Sequence, residues 1–241
     1  TEAVVTTAGA VAVLCVSETG VATLVRRAAR DGTPQTSTAL EHRFPTHERR
    51  GSLELSPRGD LCAWGDALGG EVVVFDPCSG ETVRHWHPRG AGVGAIAWLN
   101  DAELIVGHGT GRTEIYEVHS GASVGELAAC DAAVIAVCPT TAGIVTATAS
   151  GRIAAWDRPA ATSHSQSETR ATFLGGIDAD AIVVSGQALQ RLDRTGAALW
   201  TVDAPAGTVS VHQRTAAGSL LVTTNQPDPN EMARVIGIHL L

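Results

Sequence analysis

A large apolar or aromatic residue followed directly by a carboxylate recurs along the chain at Phe75-Asp76, Tyr116-Glu117, Trp156-Asp157 and Leu192-Asp193, at separations of 41, 40 and 36 residues. A period near forty residues marks a chain built from supersecondary units that bury their apolar faces by stacking on one another. Three of the four carboxylates open a short turn that ends in glycine: Asp76-Pro-Cys-Ser-Gly80, Glu117-Val-His-Ser-Gly121 and Asp193-Arg-Thr-Gly196.

The segments between these pairs read as strands. Val11–Val16, Glu71–Phe75, Glu103–Val106, Ile144–Thr148, Ala181–Val184 and Ser219–Thr223 are short apolar runs bounded by Gly, Pro, Asp or Ser, the pattern of buried strands between tight turns. No window carries a sustained 3.6-residue apolar stripe with caps; Ala22–Arg30 comes closest and fits a strand equally well. The chain is therefore expected to be all-β. Upstream of each pair the same order returns: an apolar strand, a polar hairpin (Ser56–Asp60, Asn100–Glu103, Pro139–Gly143), a second apolar strand, a Gly-containing turn, then the strand with the aromatic.

At these points the sequence resembles the WD-repeat β-propeller family, with a quinoprotein-like propeller as the second choice. The best unit is Ala132–Asp157, whose Ile144–Asp157 stretch is similar to the family's second strand, tight turn and Trp-Asp strand; Gly51–Asp76, with Ser56-Pro57 in the hairpin, is next. The resemblance implies a propeller of about six four-stranded antiparallel blades in one domain, at about 2–42, 47–86, 87–128, 129–170, 171–203 and 204–241. Small residues (Ala95, Ala97, Ala133, Ala136, Ala154, Ala155) suit crowded inner strands. The family's His, Ser/Thr, Asp, Trp network is degenerate here. His47 and His87 fall near the histidine position, and Thr146, Thr148 and Trp156 suit the fourth unit, but no unit carries all four residues.

The last unit ends on what reads as a third strand, Met232–Leu241, and Thr1–Thr7 reads as a first strand. One outer strand is unaccounted for, so the ring is expected to be incomplete or closed by upstream residues, a partner chain or another domain, the module being part of a larger protein. Thr162–Thr169 is a mobile loop or a weak outer strand, and Asn225–Asn230 is a loop.

Composition removes several functions. The chain has 17 basic residues against 25 acidic ones, a net charge of -8, which opposes nucleic-acid binding through many phosphate contacts and binding to anionic membranes. All the basic residues are arginine, so no P-loop, Schiff-base, kinase-type or Ser-x-x-Lys lysine chemistry is available. No apolar run approaches the ~20 residues that span a bilayer. The five cysteines, Cys15, Cys62, Cys78, Cys130 and Cys138, show no Cys-x-x-Cys spacing and read as reduced core residues, a Cys130–Cys138 disulfide being the alternative. These features lead to the expectation of a cytoplasmic protein, and the arginine-only, alanine-rich composition suits a high-GC bacterium.

Candidate chemistry is sparse. Gly121-Ala-Ser123-Val-Gly125 matches the nucleophile-elbow pattern but lacks a following helix. His85 and His87, at i and i+2, would share a strand face as two metal ligands could, with His42, His47 or His108 as further donors; a surface pair is the plainer reading. Asp178-Ala-Asp180 and Asp228-Pro-Asn230 read as turns, not calcium loops, and Gly107–Arg112 reads as a hairpin turn, not a phosphate cradle. No metal or other cofactor is expected.

Arg112 and Arg152 both follow a glycine between the second and third strands, and Arg49, Arg50 and Arg89 fall between units. Together with Trp64 as a loop contact they form the candidate interaction face, able to bind carboxylates bidentately. The expected function is a non-enzymatic scaffold presenting loops to a protein or peptide partner, or to other domains of its own polypeptide. The alternative is an enzyme or ligand-binding propeller with a metal or organic cofactor at the channel.

Overall fold

The structure is a computed structural model that describes residues 2–5, 10–17, 19–28, 34–44, 51–89, 92–127, 129–140, 143–157, 163–167, 172–177, 180–185, 188–192, 197–203, 208–212, 221–227 and 234–240. Every regular element among them is a strand. The first sheet holds β1 (Glu2–Val5), β2 (Ala10–Val16), β3 (Val21–Ala28) and β4 (Pro34–Arg43), and the second β5 (Gly51–Leu55), β6 (Cys62–Asp66), β7 (Val72–Phe75) and β8 (Thr82–Trp86). The third holds β9 (Val93–Trp98), β10 (Glu103–His108), β11 (Thr113–Glu117) and β12 (Ala122–Leu127), and the fourth β13 (Val134–Pro139), β14 (Gly143–Thr148), β15 (Ile153–Asp157) and β16 (Ser163–Ser167). β17 (Thr172–Ile177), β18 (Asp180–Ser185), β19 (Ala188–Leu192) and β20 (Ala198–Asp203) form the fifth; β21 (Thr208–His212), β22 (Leu221–Pro227) and β23 (Arg234–Leu240) form a three-stranded sixth. In every sheet the strands lie in chain order, and the described pairings are antiparallel.

The chain divides into two compact units, Thr1–Ile135 and Ala136–Leu241. In the first unit, alternation along the second sheet explains its apolar sequence. Cys62, Trp64, Val73 and Phe75 pack with Leu14, Leu24, Leu40 and Phe44 of the first sheet and its edge. Their neighbours Ala63, Val72 and Val74 pack with Val93, Ile96, Leu104 and Tyr116 of the third. A strand covered on both faces carries no polar alternation, so β6 and β7 are buried throughout. The fourth strands β8 and β12 are mostly exposed.

Specific bonds fix adjacent sheets of this unit. Trp98 Nε1 donates to the Glu54 carbonyl at 3.1 Å, and Arg58 meets Asp101 through its backbone N–H and its Nε, both at 3.0 Å. The turns after β7 and β11 dock on the preceding sheet's fourth strand: Glu41 N donates to the Gly80 carbonyl at 3.2 Å, and Arg84 Nη2 to the Ser120 carbonyl at 2.6 Å.

Some local readings stand and others change. The part of Ala22–Arg30 within the described residues, 22–28, falls on β3; Thr162–Thr169 contains the outer strand β16; and the strand β22 extends through Asn225–Pro227 where a loop is expected. Pro227 sits at the strand's end, where a missing N–H is tolerated. All five cysteines are thiols, but only Cys62 and Cys138 are buried; Cys15 and Cys78 are exposed and Cys130 is intermediate. Cys78 lies in the turn after β7, outside any apolar face.

Candidate functional site

The four aromatic-or-leucine plus acid pairs are equivalent positions. Phe75, Tyr116, Trp156 and Leu192 pair on one side with Cys62, Leu104, Ile144 and Ala181, and on the other with Thr82, Ser123, Ser163 and Ala198. Each follows a register shift in its pairing with the fourth strand. The extra residue of that bulge is Val83, Val124 or Leu199 in three sheets, and all three are exposed. In the second and third sheets the acid then organises the next turn. Asp76 Oδ1 accepts from Cys78 N at 2.6 Å and Ser79 N at 3.2 Å, and the Glu117 carboxylate accepts from His119 N at 3.0 Å and Ser120 N at 2.7 Å. These bonds, led by Cys78 N–H in one and Ser120 in the other, hold both carboxyls below their ordinary range. The aromatic slot differs: Trp156 Nε1 donates to Thr146 Oγ1 at 2.9 Å, and Tyr116 OH donates to Glu114 at 2.7 Å.

The turn from second to third strand is also repeated. Asp66, His108 and Thr148 end β6, β10 and β14 as buried polar residues. Each accepts an N–H from a left-handed glycine three or four residues on, Gly70, Gly111 or Gly151 (φ 69°, 87° and 87°). Glycine is the residue that takes this conformation without a Cβ penalty. The next residue in each sheet is Glu71, Arg112 or Arg152.

Arg112 is not a free cation. Its Nε and Nη2 grip Glu126 at 3.0 and 2.9 Å, and Nη2 lies 3.3 Å from buried Glu114. Glu114 also faces His108 Nε2 at 3.2 Å. Burial is the main influence on His108 and pushes its pKa down against the pull of Glu114, a shift that favours the neutral imidazole. Burial, then the bond to Glu114, raises Tyr116.

In the second sheet the corresponding place builds a different group. Glu71 Oε2 is 3.0 Å from His85 Nε2, and Glu71 Oε1 is 3.6 Å from His42 Nε2. The three ligating atoms lie within 4.8 Å of one another, the only group of three or more His, Cys, Asp or Glu among the described residues that meets this condition. The His42 and His85 rings are 4.9 Å apart, and the His85 and His87 rings 5.2 Å. The His42 contact is the leading influence holding Glu71 below its ordinary range, opposed by burial.

Of the candidate contacts, Arg89 is exposed and Arg152 is half-buried on its turn, while Arg49, Arg50 and His47 lie outside the described residues. So do Asp178 and 228–230. Trp64 is a correction: it is a β6 residue, 4% exposed, with its ring against Phe44 at 4.8 Å. The sandwiching of the second sheet leaves it no outward face. Ser123 of the elbow-like motif sits on β12, and Gly107–Arg112 passes from β10 into strand β11, so neither has a following helix. Glu71 carries no sequence signal; its role depends on His42, supplied by another sheet.

Repeated four-stranded antiparallel sheets with equivalent bulges define a β-propeller type of repeat protein. No protein-family model and no curated protein matches the sequence. Solved structures do match. A chain from the crystal structure of a mitotic checkpoint complex is 17% identical, with TM-score 0.72, over 99% of this chain and 75% of that one. The RRP9 WD40 repeats are 13% identical, with TM-score 0.70, over 98% and 78%. The WD40 β-propeller domain of Doa1 is 15% identical, with TM-score 0.65, over 97% and 79%. The chain has the fold of a divergent WD40-repeat β-propeller.

Proposed function

We propose that the chain is a non-enzymatic protein-interaction scaffold that receives a protein or peptide partner at one end of its second and third sheets. The observation that carries this reading is Leu68, an apolar side chain 57% exposed on the β6–β7 turn. This turn is held by Asp66, which accepts from Leu68 N at 3.0 Å and Gly69 N at 2.6 Å. Its Ala67 carbonyl backs onto Gly92, whose own carbonyl accepts from Gly109 N at 3.2 Å, so the turns of two sheets meet the connection that carries exposed Arg89. An exposed apolar side chain and an exposed arginine on adjoining turns are the residue mixture that anchors protein interfaces. The mitotic checkpoint neighbour comes from a multiprotein assembly, in line with such a role.

The test is affinity capture with the purified chain and with a Leu68→Asp/Arg89→Glu variant of equal thermal stability. A partner held by the native chain and lost by the variant supports the proposal. A partner held equally by both contradicts this face.

A further inference from the structure

We infer that His42, Glu71 and His85 bind one divalent transition-metal ion of the zinc class, clasping the fourth strand of the first sheet to the second sheet. His42 lies on β4, His85 on β8, and Glu71 immediately before β7, so the ligands come from three segments and two sheets. Two imidazoles and one carboxylate are a ligand set for zinc and its neighbours, not for calcium or magnesium, which take oxygen.

Zn–N and Zn–O bonds of about 2.0–2.2 Å place tetrahedral ligand atoms about 3.3–3.5 Å apart. Here the two Glu71 oxygens stand 3.0 Å from His85 Nε2 and 3.6 Å from His42 Nε2, and the three ligand atoms lie within 4.8 Å of one another. The side chains would have to draw together to centre an ion among them. His42 Nε2 is itself buried and makes no hydrogen bond among the described residues, although it faces Glu71. A buried nitrogen left without a hydrogen bond is costly unless something else engages it. Phe44, edge-on to the His42 ring at 5.0 Å, limits where that ring can turn. His85 and His87 are both exposed, with rings 5.2 Å apart, so His87 or water would complete a fourth position.

The experiment is a cobalt titration of the intact, metal-stripped chain carrying no histidine tag, followed by zinc displacement. The expected result is one equivalent of cobalt with the intense visible bands of a tetrahedral N/O site, displaced by zinc, and a rise in melting temperature with zinc. His85→Ala, a change at an exposed residue, and Glu71→Gln should each weaken binding more than about tenfold, since even loss of an outer partner costs that much. His119→Ala, at another exposed histidine, should leave it unchanged. Absence of saturable cobalt binding, or affinity unaltered in both His85→Ala and Glu71→Gln, would overturn the assignment and leave the three residues as an ion-pair cluster. Neither result bears on the partner face at Leu68 and Arg89.

Discussion

Arg112 stands in the third sheet where Glu71 stands in the second, with the opposite charge. Each follows the left-handed glycine of its turn, and each bonds a fourth-strand side chain fourteen residues on, Arg112 to Glu126 and Glu71 to His85. One backbone position thus carries two electrostatic designs. In the third sheet the cation neutralises buried Glu114; in the second the anion gathers two histidines.

Reversing Arg112 is therefore a stability experiment more than a binding one. Arg112→Glu removes the cation beside Glu114 and sets a third carboxylate against Glu114 and Glu126. Because Arg112 is partly exposed, the loss is expected to stay below the ~3–5 kcal/mol of breaking a fully buried pair. Arg89→Glu, at an exposed site, should change stability by less than about 0.5 kcal/mol. Urea denaturation distinguishes them; equal midpoints would contradict the Arg112 network.

Gly111 and Gly59 both have positive φ, 87° and 75°. A Cβ at Gly111 would strike the Cys130 carbonyl, whereas at Gly59 it meets nothing within 4 Å. Gly59→Ala should cost about 1 kcal/mol from backbone strain alone. Gly111→Ala should cost clearly more, in the ~2–4 kcal/mol range, since backbone must move as well. Thermal melts of the two variants check the order.

The neutral form of His108 is favoured in the fold because burial lowers its pKa from 6.5. The unfolded chain takes up this proton first as pH falls, so the contribution is complete above about 6.5 and is lost as pH drops through the folded value. The melting temperature should fall between about pH 7.5 and pH 5, and less so in His108→Thr, which installs the residue found at the corresponding Thr148. An identical pH profile for both proteins would count against a neutral buried imidazole.

Asp76 behaves with the opposite chemistry and the same sign. Its carboxylate is favoured in the fold by the N–H groups of Cys78 and Ser79, so its contribution is present above the ordinary value of 3.8 and disappears at lower pH. Asp76→Ala should cost about 0.5–1 kcal/mol at neutral pH, as for an exposed capping acid. The gap from the native chain should close as pH falls through the carboxyl's folded pKa. A gap constant with pH would show that the side chain's charge is irrelevant to the turn.

The sheet plan was legible because the period of the pairs reports a physical unit: at Tyr116-Glu117 the ring enters the core while the acid ties the turn. The bulge before each pair was invisible, since it depends on the length of the fourth strand, and its residues Val83 and Val124 look like ordinary strand valines. Trp64 reads as a loop contact in the sequence, whereas its burial within β6 comes from neighbouring sheets, which the sequence does not display. Gly-Arg at 111–112 and 151–152 did locate equivalent turns, but the partner of Arg112 lies across the strand, at Glu126. For the same reason His85 could be flagged from its spacing with His87, while Glu71 could not.

The equivalence of the four pairs is tested most directly by an experimental crystal structure of the chain. Phe75, Tyr116, Trp156 and Leu192 should each sit on the third strand of a separate antiparallel sheet, immediately after a bulge against the fourth. Any of them on a helix, or paired in a different register without that bulge, would contradict the account.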